Sequence, residues 1–292
     1  DEVITTPITF AASANCALYM GGTPVFADIN EENFNIDVNE IKNKITDKTK
    51  AIIPVDYTGQ AVDIDSIKEL TKGTDIVIIE DGAHSLGTKY KGTLVGGLAD
   101  MTMFSFHPVK TITSGEGGII TTNNEEYYRK LMNFRTHGIT REQEQLVNKD
   151  MGSWYYEQLD LGYNYRMTDI QAVLGISQLD KIDYFIEKRK EIVKRYNEAF
   201  KETEGIILHK NEDYSDTVNH LYVIKLDLPK LKADRNEIFN ALLAENIGVN
   251  VHYIPVYLHP YYQKLGYKNG LCPKAEELYD AIITIPLFPA MN

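Results

Sequence analysis

Along the first eighty residues, short apolar runs rich in β-branched side chains alternate with segments whose apolar residues recur at helical spacing. The runs 3–6, 24–28, 51–55 and 76–79 predict strands. Between them 11–20, 37–45 and 64–71 predict helices, the first stopped by Gly21-Gly22 and the third by Gly73. Strands separated by helices of that size argue for βαβ units and a mostly parallel central sheet. After Asp81 the texture changes to short strands, 88–90, 101–106 and 118–122, punctuated by glycine and expected to finish the sheet. A helix at 124–134 and a charged surface loop at 141–149 follow. From Thr168 a stripe running through Ile170, Val173, Leu174, Leu179, Ile182 and Phe185 to Phe200 predicts one long helix, capped at Thr168-Asp169. It is long enough to join two domains. Beyond Gly205 a strand (221–226), a helix (235–246), a strand (249–254) and a helix (273–281) predict a small second α/β domain. The expected division is a large domain, 1–203, and a small C-terminal one, 204–292.

Composition narrows the function classes. A chain of 292 residues with 43% hydrophobic content can hold two ordinary cores. Lys and Arg number 30 against 42 Asp and Glu, a formal charge of −12, which makes nucleic acid a poor partner but leaves small phosphorylated ligands open. No apolar run approaches the roughly 20 residues of a membrane span. Cys16 and Cys272 cannot build a disulfide framework and fit a reducing, cytoplasmic compartment. Both ends run straight into apolar segments, so the chain reads as part of a longer fold.

Candidate chemistry gathers at strand ends. Four apolar residues in succession, Ile76 to Ile79, predict a strand buried in mid-sheet, and it ends in Glu80-Asp81 followed by Gly82-Ala83-His84. Ligands of open α/β sheets bind at such carboxyl ends. A plain alternative is Asp81 capping a loop, with Glu80 on the surface. Lys110 follows the apolar strand 101–106 and precedes the glycines at 115, 117 and 118. In apolar surroundings its ammonium would lose a proton more readily and leave a nucleophilic amine. A lysine reaching solvent from a loop is the alternative. Asp81, Lys110, Ser105 and the aromatic Phe10 together suit pyridoxal phosphate, which needs an acid at its ring nitrogen, an amine for its aldehyde, phosphate donors and a flat apolar face. With no His-Glu-x-x-His and no cysteine pair, no metal site is expected.

Three runs carry a resemblance. Glu80-Asp81-Gly82-Ala83-His84-Ser85-Leu86-Gly87, then Ser105-Phe106-His107-Pro108-Val109-Lys110 with Gly115-Glu116-Gly117-Gly118, and Gly162-Tyr163-Asn164-Tyr165-Arg166-Met167-Thr168-Asp169 resemble the DegT/StrS-type sugar-nucleotide aminotransferases in order and spacing. The resemblance implies a fold-type I aminotransferase with a mostly parallel sheet in a large cofactor domain, a small C-terminal domain and a pyridoxal phosphate cofactor. Lys110 matches the lysine that holds the cofactor and shuttles the proton. Asp81 matches the acid at the ring nitrogen, His84 a residue near the ring hydroxyl, Ser105 a phosphate ligand, and Phe10 the stacking aromatic. Asn164 matches a residue reaching the phosphate from a neighbouring subunit, which implies a homodimer with shared active sites. His107, Arg166, His252 and Tyr253 look like substrate contacts. The runs 105–110, 135–139 and 251–262 most resemble the branch that aminates C4 of a UDP-linked 4-keto-6-deoxy-N-acetylhexosamine, with glutamate as donor, towards pseudaminic acid.

Alternatives stay open at this point. Amination at C3 or a dTDP-linked sugar, or a non-catalytic sugar-nucleotide-binding regulator, would use parts of the same pattern. A dehydratase of the family carries His where Lys110 stands, which Lys110 argues against. His84 and His107 could be core histidines, and the tyrosines of 253–262 could be core, dimer surface or a sugar platform. The family also carries roughly seventy residues before the equivalent of Asp1, including a Gly-Thr-Ser turn at a helix start that binds the cofactor phosphate. A closing strand and helix at its C-terminus likewise fall outside this sequence.

Overall fold

The alternating pattern folds by winding strands and helices back and forth across one sheet. The structure, a computed structural model, describes residues 1–291. In chain order come β1 (Glu2–Thr5), α1 (Ala12–Tyr19), β2 (Thr23–Phe26), α2 (Val38–Lys44), β3 (Thr49–Ile53), α3 (Ile64–Thr71) and β4 (Val77–Asp81). Then β5 (Lys89–Tyr90), β6 (Thr93–Leu94), β7 (Met101–Ser105) and β8 (Gly118–Thr121) precede α4 (Glu125–Arg135). The main sheet has six strands in the order β2-β1-β3-β4-β7-β8. All neighbours are parallel except β8, which runs antiparallel to β7. As expected, β4 lies between two parallel neighbours.

Local signals explain the helix ends. Asp37 caps α2 by accepting from the Asn39 N–H, and Asp63 caps α3 by accepting from Ser66. The chain leaves α1 through Gly21, whose φ of 71° is left-handed backbone that glycine adopts without strain. Ile4, Ile41, Ile52, Ile64, Ile67, Ile78 and Phe104 form the core between the sheet and its helices. Burying each such side chain contributes about 1.5–3 kcal/mol.

Several expectations need correction. Residues 88–90 do not finish the sheet: β5 pairs with β6 and with β12 (Ser215–Asp216) in a separate three-stranded sheet. The turn around Gly87 and Gly92 takes the chain off the main sheet before β7 re-enters it. After a two-stranded ribbon of β9 (Ile139–Thr140) and β10 (Glu157–Gln158), the long helix is also two helices, α5 (Asp169–Leu179) and α6 (Ile182–Phe200). The Asp180 and Lys181 N–H groups close back onto the Ile176 and Gln178 carbonyls, which ends α5 although the apolar stripe continues. Residues 249–254 are not a strand, since only Asn250 makes a β-bridge, to Thr284. The third strand of that sheet is instead β14 (Ile282–Ile285), beside β13 (Tyr222–Leu226), with β11 (Ile206–Leu208) on the other side. The helices here are α7 (Arg235–Ala244), α8 (Pro260–Lys264) and α9 (Pro273–Ala281).

Residues 251–278 are tied back to the main sheet. Phe26 of β2 packs against the rings of Tyr257, Tyr262 and Tyr267 at centroid distances of 5.5, 6.0 and 5.5 Å. The Tyr262 hydroxyl donates to Asn15 and the Tyr267 hydroxyl to the Pro24 carbonyl. The Val256 N–H donates to the Pro7 carbonyl at 2.9 Å. These contacts bring His252 and Tyr253 to the carboxyl end of the sheet.

Candidate active site

Because β4 and β7 are neighbours with Asp81 opposite Met103, their ends bring Asp81 and Ser105 to one rim of the sheet. Successive residues of a strand point to opposite faces, so Glu80 and Asp81 diverge. Both are buried. Glu80 is therefore not a surface residue: its Oε2 accepts from Thr102 at 2.9 Å, while Oε1 has no partner. Asp81 Oδ2 accepts from the Ser13 hydroxyl at 2.7 Å and Oδ1 from the Ala83 N–H at 3.1 Å. The loop-capping reading thus accounts for Oδ1, while Oδ2 is held by Ser13. The Thr9 hydroxyl lies 2.8 Å from Ser13 and donates to it, since the Ser13 proton is given to Asp81.

Burial holds the Asp81 carboxyl above the usual carboxylate range, although Ser13, Ala83 and the charge of Lys110 pull it back. Lys110 is partly buried. Burial lowers its ammonium below the ordinary lysine range, and the Asp81 charge opposes that shift. Each group senses the other, and among the described residues neither makes an ion pair. Phe10, three residues before Ser13, leaves its ring 68% exposed beside this buried acid.

His84 is buried, with Nε2 3.1 Å from the Tyr253 hydroxyl. Burial drives its pKa well below the ordinary histidine value, helped by the charges of His220, Lys110 and His252. Ser105 is half-buried, and its hydroxyl accepts from the His107 N–H at 3.3 Å. The His107 side chain is exposed, 3.9 Å from Glu116. His252 Nδ1 lies 2.9 Å from the Thr284 hydroxyl, and burial lowers its pKa to about 4. Asn164 and Arg166 are exposed on the loop before α5, where Asn164 bridges to Thr136. Tyr163 and Tyr165 stack on each other at 4.8 Å beside it. The tyrosines of 253–262 divide: Tyr257 and Tyr262 are core, Tyr261 is exposed, and Tyr253 faces His84.

Sequence reasoning missed Ser13, His220 and Asp56. Ser13 carries a weak signal, a polar residue on the buried face of an alanine-rich helix just after Phe10. His220 packs against His84 at 4.5 Å from a loop with no periodicity. Asp56 is fully buried, accepting from Ser85 at 2.5 Å and from the Val62 N–H at 2.9 Å, and burial raises its pKa well above the carboxylate range. Among the described residues no group of three or more His, Cys, Asp or Glu is placed to hold a metal ion, and no helix is long and apolar enough to cross a membrane.

The model of the DegT/DnrJ/EryC1/StrS aminotransferase family matches residues 1–292. The chain is 40% identical over 293 residues to a UDP-4-amino-4,6-dideoxy-N-acetyl-beta-L-altrosamine transaminase of Campylobacter jejuni, covering 99% of this chain and 75% of that one. Its fold matches Helicobacter pylori PseC, an aminotransferase involved in the biosynthesis of pseudoaminic acid, with a TM-score of 0.91 at 36% identity over 100% of this chain and 75% of that one. It also matches the PLP-form of a putative sugar aminotransferase, Spr1654, from Streptococcus pneumoniae, with a TM-score of 0.89 at 35% identity over 100% and 77%.

Proposed function

The chain belongs to the DegT/DnrJ/EryC1/StrS aminotransferase family, and from that premise we propose that it transfers the amino group of glutamate to C4 of a UDP-linked 4-keto-6-deoxy-N-acetylhexosamine. That it is an aminotransferase acting on sugar nucleotides with pyridoxal phosphate as cofactor follows from the family itself. The nucleotide, the position and the donor are the proposal, supported by likeness to relatives named for the altrosamine product.

The residues fit the cofactor. A buried carboxylate has hydrogen-bond donors but no cation in contact, a half-buried lysine has no anion in contact, and an open aromatic face lies beside them. This pairing of Asp81 and Lys110 is the observation that carries the cofactor reading, while the choice of sugar rests on the likeness to the named relatives. When bound, pyridoxal phosphate supplies an aldehyde for the incoming amine and a ring that accepts an electron pair. Asp81 would hold the proton on the ring nitrogen, since a cation docked beside a buried carboxylate favours its charged form. Lys110, whose charged form burial disfavours, would hold the cofactor through its aldehyde and serve as the base and acid that moves the proton between the substrate carbon and the cofactor. Phe10 offers its face to the ring, and Ser105 and Asn164 offer donors to the phosphate. Arg166, His107 and His252 are assigned to the substrate, Arg166 as the exposed cation suited to its diphosphate.

The same proposal includes a homodimer whose sites are shared through Asn164. It is supported by the apolar face that α5 leaves open, with Ile170, Val173 and Ile176 at 85%, 67% and 63% exposure. It also includes a cytoplasmic location and a division near residue 203, after which β11, β13 and β14 form a sheet of their own.

The test combines loading and turnover. The full chain is incubated with pyridoxal phosphate, then with glutamate and either 4-keto or 3-keto sugar nucleotides carrying UDP, dTDP or GDP. The expected product is the UDP-linked 4-amino sugar, identified by mass and NMR, and borohydride should fix the cofactor on Lys110. Amination of another sugar alone overturns the substrate assignment. Cofactor fixed elsewhere overturns the role of Lys110.

A further inference from the structure

The hydroxyls beside Asp81 form a chain to which the cofactor assignment gives no task. Thr9, Ser13 and Asp81 are all buried. Ser13 Oγ lies 2.7 Å from Asp81 Oδ2, 2.8 Å from the Thr9 hydroxyl and 3.3 Å from the Phe10 carbonyl. A hydroxyl has one proton to give and two lone pairs to receive with. While Asp81 is charged, Ser13 gives its proton to Oδ2 and accepts from Thr9. When Asp81 carries a proton, the same oxygen can accept it and turn its own O–H to the Phe10 carbonyl. The Ala83 N–H on Oδ1 has no such freedom, because an amide N–H only donates. Against the burial of the Asp81 charge, Ser13 gives more support than Ala83 or the charge of Lys110. Thr9, Phe10 and Ser13 also belong to one turn, with the Ser13 N–H on the Phe10 carbonyl at 3.2 Å, so the stretch that holds the acid also carries the aromatic ring.

We propose that Ser13 is a positioning residue, backed by Thr9, whose hydroxyl keeps the Asp81 carboxyl in one orientation whether or not that carboxyl carries a proton. The inference rests on the cofactor reading above, in which Asp81 meets a ring nitrogen. What it adds is how a buried acid waits for its cation. A partner that can both donate and accept leaves no orphaned oxygen or proton in either state, so the site need not rearrange when the charge is called for. Ser13 acts through Asp81 rather than on the reacting atoms.

The experiment uses the full chain with aspartate labelled by carbon-13 at the side-chain carboxyl, Asp81 being assigned by comparison with Asp81→Asn. In the cofactor-free protein, Ser13→Ala should raise the pH at which Asp81 titrates, because a hydrogen bond to the charged form is stronger than one from the neutral form. Thr9→Val should move it the same way by less. Glu80, Asp56, Cys16, Tyr253 and Lys110 also sense the Asp81 charge, and all of them are kept in both variants, so the difference from the wild type reads the hydroxyls. Ser13→Ala should also weaken pyridoxal phosphate binding about tenfold, the scale of one hydrogen bond to a charged group. A purely packing role for Ser13 would lower the melting temperature and leave the titration of Asp81 where it was. An unmoved titration in Ser13→Ala overturns the proposal, and an unmoved one in Thr9→Val alone overturns the part given to Thr9. Should Ser13→Ala not fold, Ser13→Cys, which keeps only a weak donor, takes its place with the same expected direction. If the wild-type chain takes up no pyridoxal phosphate, the cofactor reading fails, while the titration of Asp81 still decides whether Ser13 holds it.

Discussion

Two carboxylates one residue apart on β4 have opposite consequences. Asp81 keeps donors from Ser13 and Ala83 and has Lys110 within reach of its charge, an arrangement that pays for burial only if a cation docks. Asp81→Ala should therefore lower turnover at least about a thousandfold at saturating cofactor, the scale of a charge aimed at a developing transition state. A loss under about tenfold would mean that Asp81 merely caps its loop. Glu80 has one hydroxyl donor and an orphaned oxygen, and burial lifts its pKa from 4.5 to about 7. It binds its proton more tightly in the folded chain than in the unfolded one. Its stabilising contribution is thus complete below about pH 4.5 and is lost as the pH rises through about 7. Glu80→Gln, neutral at every pH, should melt a few degrees above the wild type at pH 8 and alongside it at pH 4. Equal melting at both pH values would show that the carboxyl carries no buried charge. The burial of Asp81 at a strand end was legible because four apolar residues in succession predict a strand buried in mid-sheet. The burial of Glu80 was not, because a single strand does not reveal what covers its second face.

At the scale of elements, period and capping residues placed most of the first half. Asp37, Asp63 and Thr168 begin helices where their side chains predict. Periodicity failed where tertiary contacts decide. The stripe through Ile176, Leu179 and Ile182 continues across the break at Asp180 although only α6 buries part of it, at Ile192 and Val193, and a stripe says nothing of a change in direction. Residues 249–254 have strand composition, but β14 takes the place beside β13. One long-range cap shows how the C-terminal helices are held. Cys272 at the start of α9 has no side-chain cap, and Asp28 supplies it from just beyond β2, accepting from the Lys274 and Ala275 N–H groups at 3.0 Å each. Asp28→Ala strands these donors along with the Ile29 N–H, and should lower stability by about 1–3 kcal/mol. Urea unfolding should show a lower midpoint at an unchanged slope. An unchanged midpoint would place the anchoring of α9 in its packing against β13 instead.

At the scale of the whole molecule, a chain of net charge −12 nevertheless presents an uncovered apolar face on α5 and, just before it, an exposed loop carrying Asn164 and Arg166. An apolar stripe of that kind calls for a partner, and a second copy of the chain is the partner that would also explain a donor placed outside its own core. If Asn164 serves the neighbouring site, then damage to Lys110 and damage to Asn164 fall on different sites of a mixed dimer. Lys110→Ala disables the site of its own chain. Asn164→Ala disables the site of the other chain when cofactor is kept too scarce to load it. In a dimer of one of each, one site collects both defects and the other has none. Mixing the two inactive variants after partial unfolding and re-association should restore about a quarter of native activity when half of the dimers are mixed. The mixed species can be counted independently by giving the two chains tags of different mass. Should mixed dimers form without activity, Asn164 acts within its own chain and the shared-site proposal falls. Should the chains remain monomeric yet aminate sugar nucleotides, the open face of α5 has another occupant.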